Sequence, residues 1–286
     1  MFRMPLPKLL ALFSVALAES GCASVADRPV AALAVPEHVP MLEVSETIHA
    51  PTLDASPDDA AWNGAAVIAE MTSSLGTPAA LGGPLPTRVL LLWDQNYLYV
   101  RFICSDDEIY VPFEGTARDK PYYRGDAVEV FLDPKGDGRQ YFELQVTPAN
   151  QLLDQTLLVT ADRVTSDEHG RLTKDILERD LWPALSYDMP GLRTAAGRSS
   201  DGKQWIVDIA IPAEAALKRL GMKHFEPMTL RANLLRYDWP ARTADVKGQR
   251  QLNPMNWAAV EFGRPHQSPA AMGVLRLVSN AAARQQ

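Results

Sequence analysis

The sequence predicts an all-β protein, an antiparallel β-sandwich of about nine or more strands with one or two short helices. Three observations carry this. Residues 88–93 (RVLLLW) and 97–104 (YLYVRFIC) flank the turn Asp94-Gln95-Asn96, the pattern of a hairpin. Residues 126–146 hold two alternating runs around an Asp/Gly turn. Short alternating runs then recur as far as residues 273–277 (GVLRL). Apolar residues at period two mark half-buried strands, and many of them between turn signals mark a sandwich.

Residues 53–62 (LDASPDDAAW) read as an entry strand, a turn and a helical turn that buries Trp62. The Gly/Pro/Ser-rich stretch 73–86 reads as a loop. Val128, Val130 and Leu132 alternate toward one side, as do Phe142, Leu144 and Val146 on the partner strand. Asp133 to Gly138 brings acids to the first and fifth positions, but Lys135 and Leu144 break the calcium-loop pattern, so it reads as a turn needing positive φ at Gly136 or Gly138. Residues 151–160 form the next strand. Residues 162–202 are polar and irregular, with a helix over 174–181. Residues 205–211 (WIVDIAI) alternate and stop at Pro212, a short helix over 213–220 is closed by Gly221, and residues 230–237 (LRANLLRY) alternate again. Trp62, Trp93 and Trp205 fit buried positions.

A chain of 286 residues with 47% hydrophobic and 22% charged residues is globular. Its net charge of -7 argues against nucleic acid, which needs clustered Lys and Arg. No apolar run reaches the roughly 20 residues that span a bilayer. Arg3 and Lys8 with the apolar residues 9–18 read as an export signal. Ala16-Leu17-Ala18 fits ordinary signal-peptidase cleavage. Ser20-Gly21-Cys22 resembles the end of a lipobox, with Glu19 where that motif has an aliphatic residue. The lipid-anchored reading, with Cys22 acylated, is preferred because a thiol just after a signal otherwise lacks a purpose. The organisation expected is a signal over 1–22, a tether over 23–47, a sandwich over 48–279 and a tail over 280–286. Cys104, the other cysteine, reads as a small buried hydrophobe.

The strands at 126–133 and 140–146 have an unusual second face. Glu129 and Phe131 on one strand, with Tyr141, Glu143 and Gln145 on the other, offer aromatic planes beside fixed hydrogen-bonding groups, which is what a sugar ring needs. The order Leu53-Asp54…Trp62, Leu92 to Val100, Asp126 to Asp133, Trp205 to Pro212, Arg231-Ala232-Asn233, and His266-Gln267-Ser268-Pro269 before Gly273 resembles family 9 carbohydrate-binding modules over about residues 48–279. The resemblance implies a β-sandwich that holds the terminal sugar of a glycan between two aromatic side chains. By position, Tyr123 is one wall, Glu129 the acid on the sugar hydroxyls, and Glu143 and Gln145 the polar groups beside it. Arg231 and Asn233 would add hydrogen bonds. His266 falls on or near the second wall, where characterised binders carry Trp, and Trp257 or Trp239 are substitutes for it. No cofactor is expected, apart from the structural calcium known in that family, for which Asp54, Asp58 and Asp59 are candidates.

Other readings stand beside this one. Glu129 and Glu143 could be a solvated pair bridged by Arg231, and Tyr122 and Tyr123 could pack on their own sheet. A glycoside hydrolase would use Glu129 and Glu143 about 5 Å or about 6.5–9.5 Å apart. A haem-binding relative of the sandwich would take His266 with Met255, Met272 or Met228 as axial ligands. The function expected is carbohydrate capture without catalysis, alongside separate enzymes, at the cell envelope.

Overall fold

A computed structural model describes residues 36–280, apart from 107, 116 and 117. Among the described residues the chain forms two sheets and two short α-helices. The larger sheet runs β1 (Met41–Ser45), β14 (Gly273–Val278), β12 (Thr229–Asp238), β6 (Ala127–Asp133), β7 (Gln140–Val146), β8 (Leu152–Val159) and β9 (Leu181–Ala184). β13 (Asn253–Asn256) pairs with β12 and with β3 (Thr72–Ser73). The smaller sheet runs β10 (Arg193–Arg198), β11 (Gln204–Pro212), β5 (Tyr97–Ser105), β4 (Thr87–Trp93) and β2 (Ala66–Ile68). The ladders are antiparallel except β1 with β14, which is parallel.

The alternating side chains meet between the sheets. Val128, Val130, Leu132, Phe142, Leu144 and Val146 pack in one core with Val89, Leu91, Trp93, Val100, Phe102, Cys104, Trp205, Val207 and Ile209. Burial at ~25 cal/mol per Å² of apolar surface makes this core the main stabilising element. Cys104 is a free thiol with no exposure, and burial pushes its pKa up to about 12.

Turn chemistry sets the registers. Asp133 accepts hydrogen bonds from the backbone N–H groups of Lys135, Gly136 and Gly138. Gly136 and Gly138 both take positive φ, at 68° and 64°, which L-residues with a Cβ rarely adopt. Asp94 likewise accepts from the N–H groups of Asn96 and Tyr97. α1 spans Lys174–Arg179 and α2 spans Ala213–Ala216, which a 3₁₀ turn extends to Leu220.

Some elements differ from expectation. Leu53 and Asp54 are not a strand; the large sheet instead takes in Met41–Ser45, inside the stretch read as a tether. The polar stretch 162–202 contains β9 and β10. β9 carries Pro183, which only an edge strand accommodates, and β10 (RTAAGR) is too small and polar to show a period. The export signal, Cys22 and most of the C-terminal tail lie outside the described residues.

Candidate functional site

The outer face of the large sheet is partly roofed. Phe131, Tyr141, Leu157 and Leu235 pack under Ile176 of α1 and under Val164, Leu172, Val260 and Met272 from the loops. Beside this roof the face opens into a groove of about 540 Å³. That volume is in the range of small-ligand sites.

Glu129, Gln145, Glu143 and Gln155 form the floor, with Leu153 and Leu157, on neighbouring strands β6, β7 and β8. Gln145 Nε2 donates to Glu129 Oε1 at 2.6 Å and to Glu143 Oε1 at 2.9 Å. Gln155 Nε2 donates to Glu143 Oε2 at 2.9 Å, and the Tyr237 hydroxyl donates to Glu129 Oε2. The Gln145 amide thus bridges the two carboxyl groups. Burial raises the pKa of both, and the Glu143 charge holds Glu129 well above the usual carboxylate range. Buried acids joined through one amide favour holding a proton.

Tyr123 forms one wall. It lies on a 3₁₀ turn, Tyr122–Arg124, whose Tyr122 is fully buried edge-on against Phe113 at 5.0 Å. A Cβ on the following Gly125 would come within 2.5 Å of Pro112, so only glycine fits there. Asp126 clamps the turn, accepting from the N–H groups of Tyr110 and Trp239. The Trp239 indole N–H donates to the Tyr123 carbonyl at 2.9 Å, and the Tyr123 N–H to Gln145 Oε1 at 3.1 Å. Tyr123 stays 41% exposed, with the Arg124 guanidinium 5.9 Å from its ring centroid. His266 and Pro265 line the groove from a second 3₁₀ turn, and Leu181, Pro183 and Leu185 line it from β9 and just beyond. Burial, with Arg264 and Arg171 nearby, lowers the His266 pKa and keeps its imidazole neutral.

Tyr123, Glu129, Glu143, Gln145 and His266 thus come together on one groove. The other three expected site residues stand behind it. Tyr141 is fully buried, and its hydroxyl donates to the His266 carbonyl at 2.6 Å, so it positions the His266 turn. Arg231 bridges no carboxylates; its guanidinium binds the carbonyls of Ala270, Met272 and Gly273. Asn233 is consumed by the backbone of Ala258 and Leu234. Trp257 packs on Gly273 and Trp239 supports the Tyr123 turn, so neither lines the groove beside His266. Tyr237 and Gln155 are the residues that sequence reasoning missed. Their signal was alternation: Gln155 pairs directly with Glu143, and Tyr237 shares the face of Leu235, which pairs with Glu129.

The alternative chemistries do not fit. Gln145 Nε2 donates to both Glu129 and Glu143 and occupies the position between them that hydrolysis gives to the sugar carbon or water. Met255 and Met272 are core residues, Met228 packs against the core, and none lines the groove with His266. Asp54 and Asp59 are spent on local backbone N–H groups. Among the described residues, the acids that converge, with oxygens within 4.8 Å, are Asp106, Asp126 and Asp238, and Asp119, Asp154 and Asp188. In the first group Arg236 lies 3.1 Å from Asp106, and Asn253, bonded to Asp238, leaves a buried Oδ1 without a partner. The buried Arg236 guanidinium already supplies positive charge to that group.

The family model described as "Carbohydrate family 9 binding domain-like" matches residues 53–280. Among curated protein sequences no match is found. A family 9 carbohydrate-binding module from Caldicellulosiruptor kristjanssonii, solved with cellotriose, is similar at 17% identity and TM-score 0.53, covering 84% of this chain and 95% of its own. The same organism's module solved with glucose gives 16%, 0.52, 84% and 97%. A protein from Bacteroides uniformis gives 14%, 0.58, 84% and 100%. At these identities the likeness is one of fold.

Proposed function

This chain belongs to the family 9 carbohydrate-binding domain-like family, and from that premise we propose that it captures glycans in the Tyr123 groove without altering them. The family is one of binding domains, not catalysts. One observation carries the reading: a solvent-facing aromatic ring and a prearranged carboxyl–amide floor line the same groove. The free surface of Tyr123 takes the apolar face of a sugar, and Glu143 with Gln155 accept from its hydroxyls. His266 presents a smaller plate than an indole, so a single site holds its ligand weakly, and display of many copies on a surface compensates. That the related Caldicellulosiruptor module was solved with cellotriose and with glucose supports this ligand class.

The charged and apolar start of the sequence supports export to the cell envelope, with Cys22 as the lipid attachment site. Calorimetry against cello-oligosaccharides and other saccharide panels tests the function. Saturable binding that weakens about tenfold or more in Tyr123→Ala supports it, and absence of binding to every saccharide removes it. Mass spectrometry of the mature N-terminus decides the anchor: a diacylglyceryl group on Cys22 or a chain cut after Ala18.

A further inference from the structure

Most other buried acids of this protein meet a fixed donor charge or a backbone turn. Asp208 is gripped by Arg101 at 2.6 and 2.8 Å, Asp106 by Arg236 at 3.1 Å, and Asp154 by Arg118. Asp126 and Asp133 have no such direct partner, and each is used by the N–H groups of a turn. Glu129 and Glu143 have neither. Their exposures are 1% and 6%, and they accept only from two amides and one phenol. Buried carboxylates are ordinarily paired or neutralised, and among the described residues no Lys or Arg lines the groove.

A second, independent observation lies beside them. Gln155 is 7% exposed, lines the same groove, and its Oε1 has no hydrogen-bond partner. The neighbouring donors are engaged: the Gln145 amide serves both carboxyls, and the Tyr237 and Tyr141 hydroxyls are spent. What remains at the floor is acceptor capacity, with Asp119 adding a further acid to the lining. A ligand that fits must bring donors and suits the site best with positive charge.

We propose that the groove floor recognises the ammonium group of an amino sugar, held between Glu143 and Gln155 Oε1. This rests on the carbohydrate reading above and narrows it. An ammonium group supplies the missing cation and three N–H donors. N-acetylation removes the charge, and a uronic acid brings a second anion to an acidic floor. Burial raises the pKa of both acids, and a bound cation favours their charged forms, so binding releases a proton to the buffer. The other titratable groups facing the pair are Tyr237 from β12 and Asp119, Tyr123 and His266 from the loops.

The test is calorimetry of the mature protein with glucosamine oligomers, their N-acetylated counterparts, cello-oligosaccharides and oligogalacturonate, in two buffers of different ionisation enthalpy. Charge-assisted hydrogen bonds are worth ~1.5–3 kcal/mol, so glucosamine oligomers bind at least about tenfold tighter than the acetylated ones. Their binding heat depends on the buffer, and Glu143→Gln removes the preference. Neutral oligomers bound equally well, or a preference for the uronate, overturns the amine assignment and leaves the carbohydrate reading standing. No saccharide bound at all overturns both. If Glu143→Gln fails to fold, the wild-type ratio of amine to acetylated affinity still decides.

Discussion

The two sheets present their outer faces in opposite ways. On the small sheet, residues 53–65 cover Leu90, Leu92 and Tyr99 with Trp62, and the buried charge there is complete. Arg101 grips Asp208 through two nitrogens and lies 4.7 Å from the Trp62 ring centroid. On the large sheet the loops cover only part of the face and leave acids without a cation over an open groove. Both faces bury carboxyls. The difference lies in whether the chain itself supplies the partner, and it separates acids paired within the fold from acids that line an open groove.

Breaking the closed face has the largest effect. Arg101→Ala leaves Asp208 buried and unpaired and costs about 3–5 kcal/mol. Urea denaturation reads this loss, and sugar affinity of the folded protein stays as it was. An unchanged midpoint would remove the ion pair from any structural role.

Next comes pH, which acts mainly through the acids lacking an ion pair. Burial pushes Asp126 up to about 7 and Asp133 up to about 6, from an ordinary 3.8. Between those values the unfolded chain has released protons that the folded chain retains, so stability falls as pH rises. At ~1.4 kcal/mol per pH unit, Asp126 alone accounts for up to ~4 kcal/mol. His266, lowered by burial, acts in the opposite direction and loses stability as pH falls below 6.5. The acids dominate, so melting is expected at a higher temperature near pH 5 than near pH 8. A flat profile would mean a bound cation or a neighbour already neutralises them.

Tyr123→Ala sharpens the contrast from the open side. Removing one stacking plate weakens saccharide binding by about tenfold or more, while stability shifts by no more than ~0.5 kcal/mol, as befits an exposed side chain. A large stability loss would make Tyr123 a packing residue. Smallest is Tyr141→Phe, which strands the His266 carbonyl and costs ~0.5–1.5 kcal/mol. Its effect on binding comes only through looser placement of His266, read as a faster dissociation rate.

Much of this was readable from residue order. The alternation of Val128, Val130 and Leu132 placed Glu129 on the opposite face, and the Asp133–Gly138 turn set its register against Gln145. Five groove residues followed from that and from positional likeness. Alternation assigns a face but not a neighbour across space. Tyr141, Arg231 and Asn233 lie on the same face as Glu129, but residues 258–273 fold over them and use their polar groups. Which part of the face is roofed depends on packing between segments far apart in the chain. β9 was hidden for a different reason: Pro183 erased its strand signature while supplying part of the groove wall.

Cys104 gives the closed core a chemical clock. It sits in β5 between β4 and β11, with no exposure and a thiol that burial keeps protonated. In protein lacking Cys22, an added thiol reagent has one target, and it is reached only when the sheets part. At saturating reagent the labelling rate counts those openings one by one. A sugar that binds only the closed form must slow that clock in proportion to its occupancy of the groove, so one cysteine reports on a ligand it never meets.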